Sequence, residues 1–172
     1  MSWQVGLKEN VMSLVIDTLR TSAITEELSD AEVKILAGLF EVRDYKSGEA
    51  ITKPSDVKND NLFILAHGDI EVKVHSDNEE FVIHILKPGD LAGIITFVGG
   101  AVSHVSATLY AMGDTKVLSL ERSRFESLIN SHPMIMYRVM RGIVRNVHGI
   151  VRRINTQSIE MSNYIFSIKG RY

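Results

Sequence analysis

Apolar positions along this chain follow two different periods, and the change from one to the other divides it. Val11, Leu14, Val15, Thr18 and Leu19 recur at helical spacing, so roughly the first twenty residues read as an amphipathic helix. A second start signal stands at Ser29 with Glu32 three residues on, a capping box ahead of Val33, Leu36, Leu39 and Phe40 on one face. Residues 1–40 are therefore expected to form N-terminal helices that cover one end of the central region of the chain.

From Glu41 the period shortens to two. Turn chemistry at Ser47-Gly48 and a break at Lys53-Pro54-Ser55-Asp56 precede the apolar run Leu62-Phe63-Ile64-Leu65. After a tight turn at His67-Gly68-Asp69, Ile70, Val72 and Val74 alternate with Glu71, Lys73 and His75. Asp77-Asn78 turns the chain back into Phe81, Ile83 and Ile85, and a final strand pair is expected over Val105–Ala111 and Lys116–Leu120. Short strands at regular spacing with glycine at the corners predict an antiparallel roll over residues 41–122, in a mainly β fold with flanking helices.

Residues 123–172 return to helical spacing. Ser123 and Glu126 suggest a capping box for a short helix, and Ser131 followed by Pro133 marks the start of a much longer one. Along it Met136, Met140, Ile143, Val147, Ile150, Ile154, Gln157, Met161, Tyr164 and Ile168 alternate in steps of four and three, the signature of a coiled-coil seam. One helix of that extent would be about 55 Å long at about 1.5 Å per residue, more than a small roll can cover. A homodimer, parallel or antiparallel, is the simplest cover. Gly142 and Gly149 lie beside the seam, where close helix approach or a bend would account for them.

Composition narrows the function classes. An apolar content of 45% in 172 residues supports a packed core, and the absence of cysteine removes disulfides, thiolate metal sites and cysteine nucleophiles. No stretch reads as a signal peptide or reaches the roughly 18 apolar residues of a membrane span, so a cytoplasmic protein without membrane contact is expected. The net charge of −2 hides an asymmetry: from His132 onward Arg138, Arg141, Arg145, Arg152, Arg153, Lys169 and Arg171 face one acid, Glu160. Such a stripe attracts nucleic acid, an acidic partner or the acids of its own domain, and a solvated face, open to pairing with acids of the roll, is the reading favoured over nucleic-acid binding.

Candidate chemistry concentrates after Pro88. Gly89-Asp90-Leu91-Ala92-Gly93-Ile94-Ile95-Thr96-Phe97, a Gly99-Gly100 loop and His104-Val105-Ser106-Ala107-Thr108 outline a cradle of backbone amides for a small anion. The stretch holds no Arg or Lys, although a phosphate ester needs a fixed cation, and His104 is mostly uncharged at neutral pH. His67, His75, His84 and His104 lack metal-ligand spacing, with His75 and His84 on the polar phase of their strands. No nucleophile triad, phosphate loop or paired carboxylates in an apolar setting can be argued, so neither an enzyme nor a metal or haem site is expected.

The order of parts carries a resemblance. Tyr45-x-x-Gly48-Glu49-x-Ile51, Leu62-Phe63-Ile64-Leu65-Ala66-x-Gly68-Asp69-Ile70-Glu71-Val72, Pro88-Gly89-Asp90, Ser106-Ala107-Thr108 and then a long helix resemble the cyclic nucleotide-binding domain. The likeness is to the sensor half of the bacterial catabolite-activator and fumarate–nitrate-regulator family, over approximately residues 29–155. It implies a jelly roll with a C-terminal dimerisation helix, the seam running through Met136, Met140, Ile143, Val147, Ile150, Ile154 and Met161. It also implies a phosphate-binding cassette at Gly93, Ile94, Ile95, Val105, Ser106 and Ala107, with Ile150 or Val151 reaching toward the base. The family's glycine and small polar residue are matched by Gly93 and Ser106. Its ribose-binding glutamate is replaced by Ile94, or Ile95 if the gap is placed differently, and its phosphate-binding arginine by Val105.

A regulatory, sensor-like or partner-binding dimer with no cofactor is the function these changes imply, one that does not bind cyclic AMP or cyclic GMP in the usual way. Ile94, Ile95, Phe97, Val105, Leu109 and Ile150 would either line an apolar cavity for a small uncharged molecule or fill the core. A true cyclic nucleotide receptor with an altered site and a basic helical dimer binding nucleic acid nonspecifically are the alternatives. With the chain ending at Tyr172, no helix-turn-helix is expected, and hence no sequence-specific DNA reading by this chain.

Overall fold

The computed structural model describes residues 2–52, 60–76, 79–99 and 107–169. Helix α1 (Ser2–Thr21), a 3₁₀ turn (Ala23–Thr25) and helix α2 (Asp30–Ala37) lead into strands β1 (Glu41–Tyr45), β2 (Ala50–Thr52), β3 (Asn61–Ser76), β4 (Glu79–Leu86) and β5 (Leu91–Ala92). Helix α3 (Ile94–Phe97), strand β6 (Ala107–Glu121) and helices α4 (Arg122–Glu126) and α5 (Pro133–Lys169) complete the order. The result is the mainly antiparallel β fold with flanking helices and a long C-terminal helix that the alternation and heptads predict.

Two strands are longer than expected. β3 runs through His67-Gly68-Asp69, where a tight turn is predicted, and β6 runs without a break through the expected gap between Ala111 and Lys116. They pair antiparallel from Asn61↔Glu121 to Val74↔Ala107, with register shifts at Leu65/His67 and His67/Asp69. Gly68 sits at that irregularity with φ +84, and a Cβ there would stand 2.8 Å from the Asp114 carbonyl oxygen and the Thr115 hydroxyl. The glycine makes a bulge rather than a hairpin, so both strands bend together and continue.

The bend creates two layers from one ladder. β1 and β5 flank the halves of β6 and β3 on one side of it, and β2 and β4 flank the halves on the other. Between the layers Ile51, Phe63, Leu65, Ile70, Leu86, Leu109, Ala111 and Val117 form the roll interior. The alternate residues Leu62, Ile64, Leu118 and Leu120 face outward into a second core with Val15, Leu19, Leu36, Phe125 and Val139 of the helices. A half-buried strand alternates apolar with polar, but these halves are buried on both faces and therefore read as continuous apolar runs. Each fully buried Leu or Ile contributes about 1.5–3 kcal/mol.

The caps are mixed. Ser29 caps α2 in a complete capping box with Glu32, as the spacing predicts. α4 instead begins at Arg122 with no side-chain cap, because the Ser123 hydroxyl donates to the Glu121 carboxylate at 2.6 Å. Pro133 opens α5, one residue after the His132 carbonyl that accepts from Ile135 and Met136.

α5 is seated on the N-terminal segment at Gly142. A Cβ there would lie 2.6 Å from Ile24 Cα and 2.7 Å from the Ala23 carbonyl oxygen, so the 3₁₀ turn touches the helix backbone itself. Gly149 has open space around its α-carbon. The two glycines should thus respond oppositely to substitution. Gly142→Ala is expected to lower the free energy of unfolding by about 1–3 kcal/mol through overpacking. Gly149→Ala should raise it by up to about 1 kcal/mol through helix propensity. Urea unfolding followed by circular dichroism measures both, and a stabilised Gly142→Ala would mean that the turn is not seated on the helix.

Candidate functional site

Gly93 stands where β5 ends and α3 begins, with φ +76. A Cβ at this position would run into the Asn61 carbonyl oxygen and approach the Phe63 ring to 3.1 Å. Close approach to β3 therefore requires glycine here, independently of any ligand. The Gly93 carbonyl accepts from Phe97 N–H at 3.0 Å and from the Thr96 hydroxyl at 3.1 Å, closing the single turn of α3.

Of the residues expected to line an apolar cavity, the five that are described do not come together in one place. Ile94 is half-buried and packs against the helix-side core, where Phe97 is buried with its ring 5.5 Å from that of Phe125. Leu109 belongs to the roll interior on the opposite face of the sheet. Ile95 is 62% exposed. Ile150 is half-buried on α5, and Ala107 is half-buried at the start of β6, opposite Val74. Val105, Ser106 and His104 lie outside the described residues. His84 pairs with Val72 across the β3–β4 ladder and so shares the face of a roll-interior neighbour, not the polar phase expected of it.

Two cations approach the ends of this segment that the pattern of residues did not single out. Arg122 Nη1 would be 3.3 Å from a Cβ on Gly99, but it pairs with Asp60 at 3.3 Å and, through Nε, with Glu126 at 3.9 Å. Lys73, opposite Thr108 in the ladder, pairs with Glu71 at 3.1 Å and Glu80 at 3.8 Å and lies 5.0 Å over the Tyr110 ring. The hydrogen bond to Glu71 and the two carboxylate charges raise the Lys73 pKa, so it stays charged and already neutralised. Tyr110 and Lys73 line an open cleft of about 630 Å³ with Ser47, Glu71 and Met112, on the solvent side of the roll.

Helix α5 carries two apolar faces where one is predicted. Ile135, Val139 and Ile143 are buried in this chain's own core, with Met136 and Met140 packed against it. Ile143, expected on the seam for a second helix, is 2% exposed because it packs into this chain's own core. The stripe left exposed is Tyr137, Val144, Val147, Val151, Ile154 and Met161. With half-buried Met140 it keeps the alternating steps of three and four as far as Ile154, replacing Met136, Ile143 and Ile150 by the residue after each, and Met161 follows one heptad later.

Three of the five arginines of α5 pair with acids of the N-terminal segment rather than of the roll. Arg138 Nη1 reaches both Glu32 oxygens at 2.6 and 2.8 Å, Arg141 meets Glu27 at 3.3 Å, and Arg145 meets Glu27 and, at 3.4 Å, Glu26. Glu32 also accepts from the Ser29 N–H and hydroxyl, each at 2.8 Å. Those Ser29 bonds, then Arg138, hold its carboxyl below the ordinary value of 4.5.

A family profile described as the cyclic nucleotide-binding domain matches residues 42–132, the roll together with the short helix behind it. The HTH-type transcriptional regulator Cmr of Mycobacterium tuberculosis is 31% identical over 116 residues, 67% of this chain and 46% of that protein. The chain thus spans about half the length of that relative. A cyclic nucleotide-binding domain from Methylobacillus flagellatus superposes with a TM-score of 0.75 at 15% identity, covering 87% of this chain and 83% of that one. The regulatory subunit of a cAMP-independent protein kinase A from Trypanosoma cruzi, bound to guanosine, superposes with a TM-score of 0.62 at 22% identity, covering 79% and 46%.

The capping box and Arg138 make stability sensitive to acid in a defined direction. A carboxyl held below its unfolded pKa stabilises fully above that value and loses the contribution as pH falls through the folded one. The stability difference between wild type and Glu32→Gln should therefore be constant near neutrality and shrink on acidification below 4.5. Unfolding midpoints across that range measure it, and a difference that grows on acidification would contradict the assignment.

Proposed function

The chain belongs to the cyclic nucleotide-binding domain family, and from that premise we propose that it is a dimeric regulatory module that does not take up cyclic AMP or cyclic GMP in the family's usual way. The observation that carries this reading is the charge inventory of the cassette. Residues 89–110 contain no Arg or Lys, Val105 stands where the phosphate's partner is expected, and Ile94 spends its side chain on the helix-side core. Arg122 and Lys73, the cations near its two ends, are held by acids. Burying a phosphodiester without a paired cation costs on the order of several kcal/mol, and about 1.4 kcal/mol is tenfold in affinity.

Signalling by such a module runs through α5. Its exposed heptad stripe has Asn155 and Gln157 on its flanks around Val151 and Ile154, so a second copy meets no like-charge repulsion there. Arg138, Arg141 and Arg145 are neutralised within the chain, which takes three of the seven cations of the basic stripe away from the nucleic-acid reading. A link to transcription rests on the name of the Mycobacterium tuberculosis relative, of which this chain covers 46%.

One observation favours a variant of this reading with an uncharged occupant. The Trypanosoma cruzi neighbour is bound to guanosine, a nucleoside that carries no phosphate and asks for no cation.

Calorimetry with cyclic AMP and cyclic GMP at high micromolar concentration should give no heat. Ligand at about 100 times a family-like dissociation constant would add about 2.7 kcal/mol to stability, so the thermal midpoint serves as a second readout and should not move. Heat and a raised midpoint with a cyclic nucleotide would overturn the proposal, and a response to guanosine alone would support the uncharged occupant. For the dimer, Val151→Glu with Ile154→Glu should halve the particle mass in sedimentation while leaving the β signal in circular dichroism. An unchanged mass would remove α5 from the interface.

A further inference from the structure

Helix α5 carries one short run twice. Arg141-Gly142-Ile143-Val144-Arg145 is followed, seven residues on, by His148-Gly149-Ile150-Val151-Arg152, with Gly-Ile-Val-Arg unchanged. Seven residues are close to two helical turns, so the second run presents nearly the same side of the helix about 10 Å further along.

The first run is a docking site whose occupant is this chain itself. The 3₁₀ turn Ala23–Thr25 lies on the helix backbone at Gly142, where a Cβ would stand 2.6 Å from Ile24 Cα. The acids that follow the turn are clamped by the flanking cations: Arg141 meets Glu27 at 3.3 Å, and Arg145 meets Glu27 and, at 3.4 Å, Glu26. Glycine admits the turn, and charge-assisted contacts fix it.

The second run has the same parts turned to solvent. A Cβ on Gly149 would meet nothing within 4 Å, and Arg152 and Arg153 have no acid within ion-pair reach among the described residues. Gly149, Arg152, Arg153, Thr156, Gln157 and Glu160 border an open cleft of about 520 Å³. A glycine inside an exposed helix costs about 1 kcal/mol relative to alanine, and no contact of this chain offsets it here.

We infer that the second run docks an acidic turn of another protein, a segment built like Ala23–Glu27. Small residues of that segment lie against the helix backbone at Gly149, and the carboxylates after them reach Arg152, with His148 standing where Arg141 stands in the first run. Glu160, eight residues beyond Arg152, repels acids from the far end of the cleft and keeps them near the glycine. A second copy of this chain does not qualify as the partner, since its acidic turn is already held at its own Gly142. Gly149 is two residues from Val147 and from Val151, about 200° around the helix at about 100° per residue, so the site faces away from the exposed apolar stripe.

A labelled peptide with the sequence of Thr21–Asp30, added to the full chain and followed by fluorescence anisotropy, tests this. It should bind saturably, more weakly as salt rises, and replacing both of its glutamates by glutamine should weaken it severalfold. Gly149→Ala should weaken binding about tenfold, because a Cβ would displace the turn from the backbone, while the unfolding midpoint of the protein rises. Arg152→Glu should weaken binding severalfold and leave the circular dichroism spectrum unchanged. No saturable binding, or binding indifferent to Gly149→Ala, would overturn the inference, the second being the result if the peptide merely displaced the chain's own turn from Gly142. Retardation of random-sequence DNA that is lost in Arg152→Glu but kept in Gly149→Ala, in place of peptide binding, would assign the arginine to nucleic acid and overturn it as well. Particle mass is measured separately, so failure of the α5 dimer and failure of this docking are distinct outcomes.

Discussion

Everything in this molecule is hung on the antiparallel ladder between β3 and β6. These strands, of 16 and 15 residues, supply both faces of the sheet with buried side chains, and the bulge at Gly68 bends them together so that one ladder forms two layers. Without that bend the residues of the roll interior would lie on one open face. With it, Phe63 and Leu65 meet Leu109 and Ala111 across the interior, while Leu62 and Ile64 are free to hold the helices.

The ladder also decides what the cassette segment can be. Gly93 is pressed against the backbone of Asn61 at the start of β3, and the short helix after it turns Ile94 and Phe97 toward the helices rather than toward the roll interior. Aliphatic side chains at these places are thus core residues of the helix-side cluster. A charged group at Ile94 would have to be hydrogen-bonded or paired to offset its burial, and the cations closest to the ends of the segment already have acids beside them.

The helices show how the same chain manages its remaining apolar surface. One face of α5 is consumed by the fold itself, through Ile135, Val139 and Ile143, and is aligned by Gly142 against the 3₁₀ turn and by three arginines against Glu26, Glu27 and Glu32. The other face and the outer side of β4 are left uncovered. The exposed stripe on the helix repeats in a heptad pattern that a symmetric copy can match. A module of this kind transmits a change in its roll only through what it touches.

Local chemistry along the chain was enough for several of the elements. The capping box at Ser29 and Glu32, Pro133 at the head of a long helix, and the period-two alternation after Glu41 act between near neighbours and need no tertiary context. The absence of any cation from residues 89–110, which carries the functional reading, is likewise a property of the chain alone. Tertiary structure decided the rest. Gly68 signals a turn and a bulge equally well, and only the opposing strand made it the latter. The seven-residue repeat on α5 contains two adjacent stripes, and only the docking of the 3₁₀ turn at Gly142 assigned Ile143 inward and Val144 outward. Ile94, Phe97 and Leu109 are alike as letters but separate into different cores, because a sheet has two faces and the bend determines which face each residue meets.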